Sequence, residues 1–478
     1  MFNKRYLFRR ERRWYTSPLY IFILVSLILS GLFVTQGYRR QEIQPLFQPT
    51  PTPTRIASSY AREAEAHFQA GSLDAAIASY QQAISIDPQN GRLYAELARI
   101  LTYSTESQTT AREKEERFKQ AYEAAQKAVE LAPEDSTAYA VLAFTLDWYS
   151  GFITYILSDG KTGGDFLADA EQAVTRATTL DETDILAQVY FAEIMIDVQR
   201  WDQAQSAISD ALQRAPGLWE AHRVNGLFLE NQGYYLDAIQ SFEEAVKLAP
   251  NMTFLYIKLG QSYRNMGLKT NSVEYYNRAI DYFAMAADRN EELGIQDPLP
   301  YLGIGRAYGQ LGEFFSASLN MSKALQYNPY SPDVYAQLGM VYRQARNYED
   351  AISALKCAVR GCTAQETCDL RGCDPEAEEA IEIEGMELSG STVVYYYTYA
   401  SLLAGMYLPR HPQRSLYCVE SLDVIEEIYA SPFSSDVTIM EILAPSEAIC
   451  QAVQSSAALP TTTPQVTPTG GTGMDSTN

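Results

Sequence analysis

The chain has 478 residues, 46% of them apolar and 20% charged, a composition that belongs to a folded protein and not to a disordered or fibrous one. Charge is divided unevenly: residues 1–56 hold nine Lys or Arg against two Glu, a net of +7, and the remainder carries −29. So acidic a body repels nucleic-acid phosphates, which excludes nucleic acid from the expected partners, and a total of three histidines argues against histidine-based metal or acid–base chemistry.

The amino terminus reads "MFNKRYLFRRERRWYTSPLYIFILVSLILSGLFVTQGYRR" and has no charged residue from Trp14 to Tyr38. Its apolar core, Leu19 to Val34, and the flanking Trp14, Tyr15, Tyr20 and Tyr38 predict a transmembrane signal anchor over 19–38, with aromatic rings at the interfaces. Six basic residues precede the span and two follow it, so residues 1–18 are expected in the cytosol and the body outside. A cleaved signal peptide is the competing reading, but "LSGLFVTQG" lacks a clear small-x-small site, and both readings export the body. Residues 39–56 follow as a linker; "QPLFQPTPTPTR" favours polyproline II and spans roughly 30 Å.

From residue 57 a pattern recurs. "ASSYAREAEAHFQAGSLDAAIASYQQAISIDPQN" holds two amphipathic helices that meet at Gly71, with Ala64, Ala76 and Ala83 at their crossings and Pro88 after the second. "WEAHRVNGLFLENQGYYLDAIQSFEEAVKLAPNM", from Trp219, places Gly226, Ala238, Ala245 and Pro250 equivalently, and the unit from Pro332 places Gly339, Tyr342, Ala351 and Ala358. Pro216 and Pro250 are 34 residues apart, and the longer spacings Pro88–Pro133, Pro133–Pro216 and Pro250–Pro329 keep that period once insertions near 103–113, 150–165 and 285–297 are removed. The pattern resembles the tetratricopeptide repeat family. The resemblance implies an all-α solenoid of eight helix–turn–helix repeats over 57–360, starting near 57, 91, 136, 185, 219, 253, 298 and 332. A degenerate ninth pair ("STVVYYYTYASLLAGMYL", "PQRSLYCVESLDVIEEIYA") and a capping helix interrupted by Pro445 are expected over 391–455, before a disordered Pro/Thr/Gly-rich tail at 456–478.

Two glycine motifs are decoys. "DGKTGG" at 159–164 lacks the phosphate-loop glycine, since Tyr155 stands there, and no strand precedes it. "GIGRAYG" at 303–309 lies in a repeat's first helix, where Gly305 takes the small packing position. No HExxH, GxSxG or paired His/Cys arrangement occurs, so no catalytic residue, metal site or cofactor is expected.

Repeats of the family bind extended peptides on the concave face, which their first helices line. In the family register that face presents Arg223, Lys258, Arg264, Arg306 and Arg343, with Gln261, Asn265, Gln310 and Gln344 among them. Five cations on one stripe of so acidic a body suggest a groove for acidic or carboxylate-terminated segments of a protein partner. The opposing reading is that Glu220, Glu230 and other acids neutralise them within the array. The family's carboxylate clamp is not matched as a set.

The cysteine-rich insertion, 361–390, interrupts the array after its last regular unit. Cys357, Cys362, Cys368 and Cys373 lie within seventeen residues, and Cys418 and Cys450 bring the total to six. Export favours disulfides over a four-cysteine zinc site, whose pairs are usually closer. Fifteen pairings exist; one that joins Cys418 to Cys450 and places two bonds inside 357–373 would staple the array's irregular end. Cys362 is expected to end the last regular helix. The chain reads as a non-enzymatic, membrane-anchored scaffold for other proteins, the alternative being an accessory subunit that positions a cell-wall or polysaccharide enzyme.

Overall fold

The computed structural model describes residues 17–39, 55–153, 160–373, 381–406 and 414–457. The basic tail to residue 16, linker residues 40–54 and the tail from 458 lie outside the described residues. The chain divides into two units, Met1–Ile56 and Ala57–Asn478.

The first unit contains α1 (Pro18–Arg39), which carries no acidic residue and no basic one before Arg39. At about 1.5 Å per residue its length matches a hydrocarbon layer of about 30 Å. Its described side chains are all exposed, as the apolar flank of a core helix would not be.

The second unit is helix upon helix. Eight pairs follow in order: α2 (Ala57–Gln69) with α3 (Leu73–Ile86), α4 (Gly91–Ser104) with α5 (Ala111–Leu131), α6 (Ser136–Phe152) with α7 (Gly163–Leu180), and α8 (Ile185–Asp197) with α9 (Trp201–Arg214). Then come α10 (Trp219–Asn231) with α11 (Tyr235–Leu248), α12 (Thr253–Thr270) with α13 (Val273–Leu293), α14 (Leu299–Leu311) with α15 (Phe314–Tyr327), and α16 (Pro332–Gln344) with α17 (Tyr348–Val359). A short α18 (Ala364–Arg371), a ninth pair α19 (Val393–Gly405) and α20 (Arg414–Tyr429), and α21 (Val437–Ala457) complete the described helices. The all-α solenoid read from the sequence is the fold. Its third insertion is taken up largely by lengthened helices, α12 running to 18 residues and α13 to 21.

Small residues sit at the crossings because the backbones must approach closely. A Cβ on Gly226 would lie 2.6 Å from the Phe242 ring, one on Gly303 2.5 Å from Phe283, and one on Gly305 2.8 Å from Met321. The "GIGRAYG" glycines thus serve packing. Thr162 of the "DGKTGG" segment is the N-cap of α7 and forms a capping box with Asp165, and Gly163 and Gly164 open that helix. The turn inside six of the eight repeats uses a left-handed residue. Glycine supplies it in the first, fifth and seventh repeats (Gly71, Gly233, Gly312), and Gln199, Asn271 and Arg346 supply it in the fourth, sixth and eighth.

The superhelix is tight. Asn251 Nδ2 donates to the Gln69 carbonyl at 2.9 Å, and Asn328 Nδ2 to the Thr109 carbonyl at 2.7 Å. The first two repeats therefore touch the turns that follow the fifth and seventh.

Two details at the carboxyl end differ from the sequence reading. Helix α17 stops at Val359 because Gly361 adopts φ +86°, so Cys362 lies beyond the helix and forms an antiparallel bridge with Ile383. Helix α21 runs unbroken through Pro445. Only one hydrogen bond is lost there, and Glu441, whose carbonyl loses it, lies on the solvent side. The cysteines are joined Cys357–Cys362, Cys368–Cys373 and Cys418–Cys450, with Cα separations of 4.6, 4.9 and 4.9 Å. Arg360 adds an ionic clamp from the last regular repeat to α20, meeting Glu420 at 3.0 Å and Asp423 and Glu427 at 2.6 Å each.

Candidate functional site: the concave face

First helices line the inside of the superhelix, and in its amino-terminal half that inside is filled. Tyr103 of α4 is fully buried. Its ring lies 6.1 Å from Phe68, 5.0 Å from Phe144, 5.5 Å from Trp148, 5.2 Å from Trp219 and 5.6 Å from Phe254, centroid to centroid. These rings come from α2, α6, α10 and α12, so one tyrosine ties together first helices from five repeats.

A buried charge network surrounds this aromatic plug. Arg99 of α4 meets Glu96 at 2.9 Å and, across the superhelix, Glu220 of α10 at 3.1 Å. Arg223 binds Glu193 of α8 through both terminal nitrogens, at 2.7 and 2.5 Å, with both side chains about 5% exposed. Trp148 Nε1 donates to the same carboxylate at 3.0 Å, and the Arg223 guanidinium lies 5.5 Å above the Trp148 ring. Burial works against the charge on Arg223, but Glu193 outweighs it and holds the guanidinium protonated more firmly than usual.

This places Arg223 elsewhere than the sequence reading had it. It is a buried member of an ion pair and not a cation on an open groove, because Glu193 reaches it from the preceding repeat. Lys258 is half-exposed and pairs with Glu230 at 3.4 Å, so the expected neutralisation within the array holds for it. Glu220 is taken up by Arg99. Sequence reasoning missed Arg99, Glu193 and Asp147. The available signal was an acid set among apolar residues of a first helix, as in "ILAQVYFAEIMID" and "VLAFTLDWY".

The carboxyl-terminal half is different. Arg264 and Arg306, on the adjacent first helices α12 and α14, make no ion pair among the described residues. Arg264 is half-buried, its Nε has no hydrogen-bond partner there, and a terminal nitrogen reaches only Asn265 Oδ1 at 3.4 Å. Burial and then the neighbouring Arg306 charge push the Arg264 guanidinium below its usual pKa. Arg306 donates from Nε to Gln337 Oε1 at 2.7 Å. Gln310, Arg343 and Gln344 continue the face and are exposed. Gln261 lies one turn before Arg264, beside Lys258. The structure thus brings Lys258, Gln261, Arg264, Asn265 and Arg306 to one surface and removes Arg223 from it.

A second acidic feature borders the plug. Asp147 of α6 is buried, one of its oxygens lacks a partner among the described residues, and it hydrogen-bonds Asp197 at the end of α8. Burial first, and then Glu193, push Asp197 up to about 6, and burial and the nearby Asp197 and Glu193 raise Asp147 well above the usual carboxylate range, with Arg223 opposing both. The folded pair holds a proton that the unfolded chain releases near pH 4, so stability falls as pH rises from about 4 through about 6. Asp147→Asn, which keeps the hydrogen bond to Asp197, should flatten that slope in urea unfolding. Because Asp197 is open to solvent, the gain at pH 7 is expected at about 1–2 kcal/mol.

A family model described as TPR repeat matches residues 64–101, and models described as tetratricopeptide repeat match 196–253, 255–283 and 332–360. No curated protein matches the chain in sequence. Among solved structures, the human IFIT1 dimer with PPP-AAAA is 14% identical over 84% of this chain and 84% of that one, with a TM-score of 0.50. The human IFIT1 dimer with m7Gppp-AAAA gives 14%, 84%, 83% and 0.51. TTC0263, a thermophilic TPR protein in Thermus thermophilus, is 16% identical over 43% of this chain and 98% of its own, with a TM-score of 0.35. At these identities the likeness to the human structures is one of fold.

Proposed function

We propose that this chain, a tetratricopeptide-repeat protein, is a non-enzymatic scaffold that takes acidic, extended segments of partner proteins on the open carboxyl-terminal part of its concave face. Arrays of this family are protein–protein interaction scaffolds. One observation carries the finer reading: the half-buried Arg264 is set beside Arg306, and neither makes an ion pair among the described residues, Asp333 reaching Arg306 only through Gln337. Like charges so placed are costly until an anion arrives, and that cost becomes selectivity for one. Nucleic acid is not a partner in this reading, because the −29 body repels a polyphosphate approaching the groove.

The apolar α1, with six basic residues before the span and two after it, supports a single-pass anchor with the array outside the cytosol. Three disulfides accord with an oxidising compartment. The test of the groove is crosslinking and pull-down from membranes. The double variant Arg264→Glu, Arg306→Glu should lose the partners that the parent chain captures, with helical content unchanged. Equal capture by parent and variant would overturn the reading.

A further inference from the structure

A cavity of about 410 Å³ lies inside the superhelix just before the open stripe, within the ~300–1,000 Å³ range of ligand pockets. Its apolar wall includes Phe118 and Phe152, Trp148 and Phe254. These rings come from α5, α6 and α12, so only the closed superhelix assembles them. Glu193 and Arg223 also line it, but they neutralise each other and offer no unpaired charge. Glu106 and Lys114 at its rim do the same, 3.3 Å apart. Lys258 and Gln261 line it as well, and they belong to the stripe.

Helix α12 therefore joins two sites. Phe254, Lys258, Gln261 and Arg264 follow one another at helical spacing along one face. From Phe254 to Arg264 the helix advances about 15 Å. An extended peptide covers that distance in about four to five residues. The wall calls for an uncharged aromatic side chain, whose ring can meet the four rings edge-on or offset, and the unpaired Arg264 and Arg306 call for acids.

We infer that the cavity is an anchor pocket for one aromatic side chain of a partner segment, whose acidic residues lie four to five positions away on Arg264 and Arg306. This rests on the groove reading above and specifies the partner sequence it selects. Charge complementarity names the occupant: Arg264 and Arg306 make no ion pair among the described residues, and every charge that lines the cavity is paired.

The cavity can be filled without disturbing the fold. Gly151 lines it, and a Cβ built there meets no atom within 4 Å. Leucine is also the better helix former, so Gly151→Leu should fold. The experiment uses the full chain in detergent and a dye-labelled synthetic peptide with one Phe, a Gly/Ser spacer of three residues and a Glu-Asp pair, read by anisotropy. Replacing the Phe by Ala, or moving the acids next to it, should weaken binding about tenfold or more. Gly151→Leu should weaken the Phe peptide equally and leave the Ala peptide unchanged. The double variant Arg264→Glu, Arg306→Glu should lose both peptides. If Gly151→Leu binds the Phe peptide like the parent, or the Ala peptide binds as tightly as the Phe peptide, the anchor is wrong while the groove stands. If the double arginine variant binds like the parent, or if no peptide binds the parent, the groove falls with it.

Discussion

Replacing Glu193 by alanine is expected to lower the stability of the array by about 3–5 kcal/mol, the cost of leaving one member of a buried ion pair alone. Arg223 would keep its charge inside the superhelix without its ion-pair partner: Glu220 is committed to Arg99, and the buried Asp147 carboxyl nearby is held protonated by burial. The Trp148 indole would lose its acceptor at the same stroke. The loss should appear as a fall in the urea midpoint, with the slope little changed. The double variant Glu193→Met, Arg223→Met should recover most of it, because well-packed apolar groups replace a buried pair at little net cost. A loss below about 1 kcal/mol for Glu193→Ala would mean that water reaches Arg223 and that the pair is not buried in solution.

Tyr103→Ala is expected to be as damaging, at about 3–5 kcal/mol, by the measure of other large aromatic truncations in cores. The reason here is specific. Tyr103 is the ring on which α2, α6, α10 and α12 converge, so its removal opens a void where the amino-terminal repeats pack against the later ones. Its hydroxyl meets that of Tyr190 at a long 3.4 Å, so Tyr103→Phe should cost far less, about 1 kcal/mol or under. Hydrogen exchange separates this from a general loosening. The amides around Gly71 and Asn251, where the turns of the closed superhelix touch, should lose protection first in Tyr103→Ala, while those of α16 and α17 should keep theirs. Uniform loss across all repeats would contradict the plug.

Much of this protein is local and so could be read along the chain. A repeat's two helices are set by residues within one period: the apolar spacing, the alanines at the crossings and the turn residue. Even the departures were visible as broken spacing, although the sequence showed only that the third insertion was there, not that it lengthens α12 and α13. The boundaries at Cys362 and Pro445 were misread because each depends on one backbone choice, a left-handed glycine and a tolerated missing donor. The stripe was legible in part. Arg264 and Arg306 make no ion pair because the acid the next repeat supplies, Asp333, is taken by Gln337 and Tyr395, whereas Arg223 is captured by Glu193, 30 residues away.

What the sequence determined alone is the repeat, its number of copies, the apolar leader and the acidity of the body, all properties of composition and period. What only the tertiary structure decided is which part of the concave face is open. Arg99 and Glu220 are 121 residues apart, and Asn251 and Gln69 are 182 apart. Their meeting depends on the small rotation that each repeat adds to the next, summed over several repeats. That sum is a property of packing angles and not of any window of residues. It turns the first half of the inner face into a core and leaves Arg264 and Arg306 of the second half without an ion pair among the described residues.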